Sequence, residues 1–214
     1  MDQSEISSKI ANYLLSAEAV KLNPSNPFVW TSGLRSPVYC DNRVTLSFPE
    51  ARTYITEQMV SVIRSRFPEV QAIAGVATAG IAQGALIASA LNLPFAYVRP
   101  EPKKHGLQNS IEGRLDAGAK VVVIEDLIST GKSSLKAVAD LRENNIEVLG
   151  LLSIFNYGFP ETDARFISES CPYVSLCNFK ELSSVASNTG YISQSDFEKV
   201  SEWSADPKAW SEKN

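Results

Sequence analysis

Histidine occurs once in the 214 residues, at His105. That single residue excludes multi-histidine metal sites and the H-E-x-x-H arrangement. Cysteine occurs three times, at Cys40, Cys171 and Cys177. An odd count with no C-x-x-C pair argues against a disulfide framework and against a thiolate zinc site. Positive charge is not in excess: 20 Lys and Arg stand against 24 Asp and Glu, for a net charge of −4. A general nucleic-acid binder would carry the opposite sign, so no nucleic-acid partner is expected. An anionic small substrate stays open, because local basic clusters can coexist with an acidic whole. The start, Met1-Asp2-Gln3-Ser4-Glu5, lacks the basic and then apolar pattern of a secretory signal, and a reduced, cytoplasmic setting is expected. One uncharged stretch, residues 70–98, is long enough to span a bilayer. Gln71, Thr78, Gln83, Ser89 and Asn92 interrupt it, as do Gly75, Gly80, Gly84 and Pro94. It reads better as a buried strand, a glycine turn, a small-residue helix and a second strand, and no membrane association is expected.

What is present is ordinary globular composition, 44% hydrophobic and 21% charged. A chain of this size buries about 70% of its unfolded surface without a covalent staple. One domain is expected over residues 1–214, with residues 1–46 as an N-terminal helix and a small appendage. Ile6, Ile10, Tyr13, Leu14 and Ala17 recur at helical spacing. Short strand-like pieces follow at Phe28-Val29-Trp30 and Val38-Tyr39-Cys40. Ser47-Phe48-Pro49-Glu50 has capping-box spacing before a helix with Tyr54, Ile55, Met59, Val62 and Ile63 on its apolar face. Strands are expected at 72–74, 95–98, 121–124, 148–155 and 173–176. Helices are expected at 81–91, along Leu135, Val138, Ala139 and Leu141, and in the tail along Phe197, Val200 and Trp203. Alternating strands and helices imply an α/β fold: a central, mostly parallel sheet flanked by helices.

The most informative stretch runs Val121-Val122-Val123-Ile124-Glu125-Asp126-Leu127-Ile128-Ser129-Thr130-Gly131-Lys132-Ser133-Ser134. Two acids end a buried strand, and a Ser-Thr-Gly turn leads into a helix. In open α/β sheets ligands bind at the carboxyl ends of strands. Successive N–H groups at a helix start form an anion cradle. Gly131-Lys132-Ser133 matches the end of a nucleotide P-loop, but the first glycine of that motif is replaced by Asp126. Acids beside a phosphate cradle suit a sugar phosphate, with carboxylates on the ribose hydroxyls and the turn on the 5-phosphate.

This stretch resembles the 5-phosphoribosyl-1-diphosphate (PRPP) signature of the type I phosphoribosyltransferases: four apolar residues, two acids, two apolar residues, then a small-Thr-Gly turn. Two more stretches, Phe28 to Arg43 and Tyr97-Val98-Arg99-Pro100-Glu101-Pro102-Lys103-Lys104-His105-Gly106, resemble the orotate phosphoribosyltransferases of that family. The resemblance implies transfer of a phosphoribosyl group from PRPP to orotate, with residues 1–46 forming a hood over the base site. It implies that Arg99, Lys103 and His105, with Asp126, are catalytic, the three basic residues acting on PRPP bound in the neighbouring subunit of a homodimer with shared active sites. Gly106 and Gly113 would let the basic loop act as a lid that excludes water from an oxocarbenium-like state. PRPP would also be met by Glu125, Leu127, Ile128, Ser129, Thr130, Gly131, Lys132 and Ser133. Its pyrophosphate would be met by Thr78, Ala79 and Gly80, whose small neighbours allow close backbone approach. Mg²⁺ is implied by the substrate and would be bound mainly through PRPP, with no protein metal site. Some members carry lysine where Thr31 and Pro100 stand here, and arginine where Asn156-Tyr157-Gly158 stands. The group that meets the orotate carboxylate therefore stays open among Thr31, Ser32, Gly33, Arg43 and Ser129, with Ser129 best supported. Arg35 and Arg43 could equally be surface or ion-paired arginines; Phe28 and Trp30 could stack on the pyrimidine, but core packing is the commoner fate of aromatics. Two other readings remain: a transferase for another nucleobase, and a PRPP-sensing regulator on the same fold, which would need a DNA-binding extension.

Overall fold

The structure, a computed structural model, describes residues 2–30, 32–100 and 110–213. Helix α1 (Gln3–Ser16) opens the chain, its capping box made by Asp2 and Glu5. A small appendage follows. β1 (Val20–Leu22) pairs antiparallel with β4 (Val38–Cys40), and β2 (Phe28–Val29) with β3 (Arg35–Ser36). Helix α2 (Pro49–Arg66) comes next. Its cap differs from the expectation: Ser47 belongs to a short 3-10 turn, and Phe48 sits at the N-cap with no side-chain bond. Proline inside the first turn supplies the start signal instead, because its fixed φ suits the helix and no N–H is lost.

The core sheet has six strands: β5 (Ala72–Val76), β6 (Phe95–Val98), β7 (Ile111–Glu112), β8 (Lys120–Ile128), β9 (Glu147–Asn156) and β10 (Tyr173–Asn178). Their spatial order is β10-β9-β8-β5-β6-β7. All neighbours run parallel except β7, which pairs antiparallel with β6. The two-residue β7 lies where an unbroken loop was expected, since two residues carry no readable periodicity. Val121, Val122, Val123 and Ile124 are all fully buried, as a strand covered on both faces requires. Val122 and Ile124 pack toward α1, α2 and α3 (Gly80–Leu91), whereas Val121 and Val123 pack toward α4 (Lys132–Glu143). On α4 the inward small residue is Ala137, not Ala139, which is exposed. No helix was expected at α5 (Pro160–Ser168) or α6 (Phe179–Asn188), although on α6 the buried Phe179, Leu182 and Ala186 stand at helical spacing.

The order of the parallel strands reverses between β5 and β8: the chain moves outward to β6 on one side and to β9 and β10 on the other. Such a switch point opens a crevice between the two loops that leave its carboxyl end. The backbones meet closely there. A Cβ on Gly80 would lie 2.4 Å from the Ile124 carbonyl oxygen. The tail, α7 (Gln194–Ala205) and α8 (Pro207–Lys213), returns to the appendage: Trp203 meets Trp30 edge to face at 5.8 Å, and the Arg35 N–H donates to Ser211 Oγ at 2.8 Å. Among the described residues no helix is long and apolar enough to cross a membrane.

Candidate active site

Two turns face each other across the switch point. The first, residues 77–79 after β5, is anchored by the Ala77 N–H on the Val98 carbonyl at 2.8 Å. Its Thr78 is exposed and Ala79 half-buried, while Gly80 is buried beneath them at the start of α3. The second, residues 129–131 after β8, leads into α4. Gly131 stands at φ +75°, and a Cβ there would lie 2.7 Å from the Phe166 ring. Glycine is required on both counts, since φ is left-handed and the space is filled. The turn is held from outside by Thr162, whose hydroxyl donates to the Ser129 carbonyl at 2.7 Å. Ser129 and Thr130 are half-buried, and Lys132 and Ser133 are exposed. Of the expected PRPP contacts, Leu127 and Ile128 bring no open side chain: Ile128 is fully buried, Leu127 packs against the core, and the Ile128 carbonyl already accepts from the Tyr157 N–H at 3.1 Å.

The two acids of β8 do not share one role. Glu125 is 5% exposed and points inward, where the Ser134 hydroxyl donates to it at 3.0 Å and the Asp126 N–H at 3.2 Å. Burial first, then the charge of Asp126, pushes the Glu125 carboxyl up to about 9. Asp126, half-buried, is also raised, chiefly by burial. Of the two, Glu125 is the buried one and Asp126 the more open one. Asn42 fixes this strand end through its Nδ2 on the Asp126 carbonyl at 2.8 Å. Asn42 was not singled out in the sequence because its partner lies far along the chain, and Ser134 was read only as part of the helix start, not as the partner of Glu125.

A stability consequence follows. The folded state keeps a proton on Glu125 that the unfolded chain releases above its ordinary value of 4.5. Stability from this group is thus fully present below that value and declines as pH rises toward about 9. Glu125→Gln should raise unfolding free energy by roughly 1–3 kcal/mol at neutral pH and flatten its decline between about pH 5 and about pH 8. Urea unfolding at both pH values checks this; a variant with the wild-type decline would show that Glu125 is ionised in the fold.

Of the basic candidates, Arg99 directly follows β6, with its Nη1 3.4 Å from Glu112 Oε1 on the edge strand β7. Lys103 and His105 lie outside the described residues, as does Thr31. Arg43 is ion-paired with Asp41 through two hydrogen bonds, at 2.7 and 2.9 Å, and mostly exposed, so the packing and pairing alternative describes it. Ser32 and Gly33 are exposed in a tight turn where the Gly33 N–H donates to the Trp30 carbonyl at 2.8 Å. Phe28 packs on Tyr39, and Trp30 packs on Tyr157 and Trp203 with its Nε1 bonded to the Val38 carbonyl. Phe28 therefore serves the appendage's own packing, and Trp30 ties the appendage to the chain after β9 and to α7.

The phosphoribosyl transferase domain model matches residues 53–168, which holds both turns and most of the sheet. A curated orotate phosphoribosyltransferase of Bacteroides fragilis is 52% identical over 94% of this chain and 94% of its own. One of Cytophaga hutchinsonii is 50% identical over 94% and 97%. The crystal structure of orotate phosphoribosyltransferase from Aeropyrum pernix matches 86% of this chain and 99% of its own, with a TM-score of 0.74 at 30% identity. The matched lengths extend well beyond the two turns. It follows that the chain belongs to the phosphoribosyl transferase family and, within it, to the orotate phosphoribosyltransferases.

Proposed function

We infer that the chain transfers the 5-phosphoribosyl group of PRPP to orotate, giving orotidine 5′-phosphate and pyrophosphate, a step of pyrimidine nucleotide synthesis. The observation that carries this reading is the 129–131 turn directly after the Glu125-Asp126 strand end, at the switch point of the sheet. Asp126 accepts from the ribose hydroxyls. Amides and hydroxyls of Ser129, Thr130 and Ser133 hold the 5-phosphate, and those of Thr78, Ala79 and Gly80 meet the pyrophosphate. N1 of orotate bonds to C1 of the sugar as the C1–O bond to pyrophosphate breaks, through an oxocarbenium-like state. Orotate reacts as its N1 anion, so the protein's work is positioning and charge stabilisation. Arg99, with Lys103 and His105, would place positive charge on the leaving pyrophosphate.

Mg²⁺ belongs to the proposal. Glu125 is already occupied by Ser134 and the Asp126 N–H, and among the described residues no group of three or more His, Cys, Asp or Glu could hold a metal. A cation held by PRPP oxygens, with Asp126 as the available carboxylate, fits these residues; a cage made by protein alone does not. When bound, it would offset charge on the leaving group. A cytoplasmic homodimer with shared sites is likewise proposed, since the basic loop after β6 would serve a neighbouring crevice.

The test is orotate-dependent release of pyrophosphate from PRPP, with adenine, hypoxanthine and uracil as controls. Release with orotate alone is expected. Release with a purine or uracil instead would replace this reading with that of another nucleobase transferase.

A further inference from the structure

Helix α5 has two buried residues, Thr162 and Phe166, one helical turn apart on the same face. Both bear on the turn of residues 129–131. The Phe166 ring fills the space beside Gly131, and the Thr162 hydroxyl donates to the Ser129 carbonyl at 2.7 Å. The helix is anchored at its other end. The Arg142 guanidinium of α4 donates to the Glu169 and Ser170 carbonyls at 2.7 and 3.0 Å, and Phe166 packs on Tyr173 of β10 at 4.3 Å. Since α4 starts at the turn and its last residues grip the end of α5, the turn rests on a closed bracket.

Thr162 is 1% exposed, and its hydroxyl is spent on a backbone oxygen 33 residues away. The peptide group explains why that contact matters. In a planar trans peptide a carbonyl and the N–H of the following residue point in opposite directions. Helix α5 joins β9 to β10, on the far side of β8 from β5 and the crevice. Holding the Ser129 carbonyl toward α5 therefore turns the Thr130 N–H toward the crevice, where no acceptor meets it among the described residues. The other oxygens of the turn are taken as well: the Ile128 carbonyl accepts from the Tyr157 N–H at 3.1 Å, and the Gly131 carbonyl from the Leu135 N–H at 2.9 Å. Those two bonds belong to the backbone. Thr162 alone does the same work with a side chain. A Ser129 carbonyl swung the other way would set an oxygen against an anion and withdraw the amide from it.

We propose that Thr162 is a positioning residue for phosphoribosyl transfer: its hydroxyl pins the Ser129 carbonyl on the α5 side, so that the Thr130 amide faces the 5-phosphate of PRPP. The proposal rests on the function inferred above. Thr162 touches no substrate atom and acts through the Ser129–Thr130 peptide. The 5-phosphate is remote from the reacting C1, so loss of the hydroxyl weakens PRPP binding more than it slows turnover.

Thr162→Val removes the hydroxyl and keeps the shape; Thr162→Ser keeps the hydroxyl and removes the methyl. Michaelis constants for PRPP and for orotate, and kcat, are measured at a temperature where each protein is fully folded. In the valine variant KM for PRPP is expected to rise about tenfold, with kcat and KM for orotate within about threefold of wild type. In the serine variant all three should stay within about threefold of wild type. A KM for PRPP within about twofold of wild type in the valine variant would overturn the proposal. So would a matched rise in both Michaelis constants, or a serine variant as impaired as the valine one, since either is the mark of a packing role. Thr162→Ala loses the hydroxyl in a smaller side chain and decides the matter if the valine variant fails to fold. Its KM for PRPP should exceed that of the serine variant about fivefold or more, and equal constants would overturn the proposal. Wild-type protein with no orotate-dependent turnover would instead sink the function reading, and the proposal with it.

Discussion

Asp126→Asn is expected to lower kcat/KM for PRPP roughly ten- to hundredfold, the range set by losing a charged acceptor of hydrogen bonds. The fold should survive and even gain stability. Asp126 is half-buried, burial raises it above its ordinary range, and the neutral amide escapes that penalty. The Asn42 bond goes to the backbone carbonyl and is untouched by the substitution. Steady-state kinetics paired with urea unfolding separate the two effects. A variant with normal PRPP kinetics would remove Asp126 from the ribose site. An unstable variant would show that the carboxylate serves the fold.

The second large effect is steric. Gly80→Ala places a methyl 2.4 Å from the Ile124 carbonyl oxygen and 3.4 Å from the Glu125 Cα, both backbone atoms of β8. Neither can swing aside as a side chain would, so β5 and β8 must part at the switch point. A stability loss of about 1–3 kcal/mol is expected from such overpacking. Activity should fall further than stability does, because the parting moves the turn of residues 77–79 away from the turn of residues 129–131. Comparing PRPP turnover with the unfolding midpoint at a temperature where the variant is fully folded checks this. Full activity in a folded Gly80→Ala would mean that the spacing of the two turns does not matter.

Much of this frame was legible in the residues. The run Val121 to Ile124 announced a strand buried on both faces, and all four are sealed. Phe95–Val98 begins and ends where alternating small and large apolar residues stop. The acids, the turn and the helix start were read as one unit because they are contiguous. What stayed hidden depends on contacts between distant positions. No local pattern says that Ser134 turns back onto Glu125, that Asn42 reaches the Asp126 carbonyl, or that Glu125 is buried while Asp126 stays half-open. The packing of Tyr157 could not be read, because the rings around it come from Trp30, far upstream, and Trp203, far downstream. The strand β7 is a two-residue element held by its pairing with β6 rather than by any periodicity of its own.

The most direct measurement is a crystal structure of the protein soaked with PRPP and Mg²⁺. It should place the 5-phosphate on the amides after Ser129 and the ribose hydroxyls against the Asp126 carboxylate, with the diphosphate toward Thr78. Density for PRPP at any other place, with the crevice between β5 and β8 vacant, would contradict the account at its root.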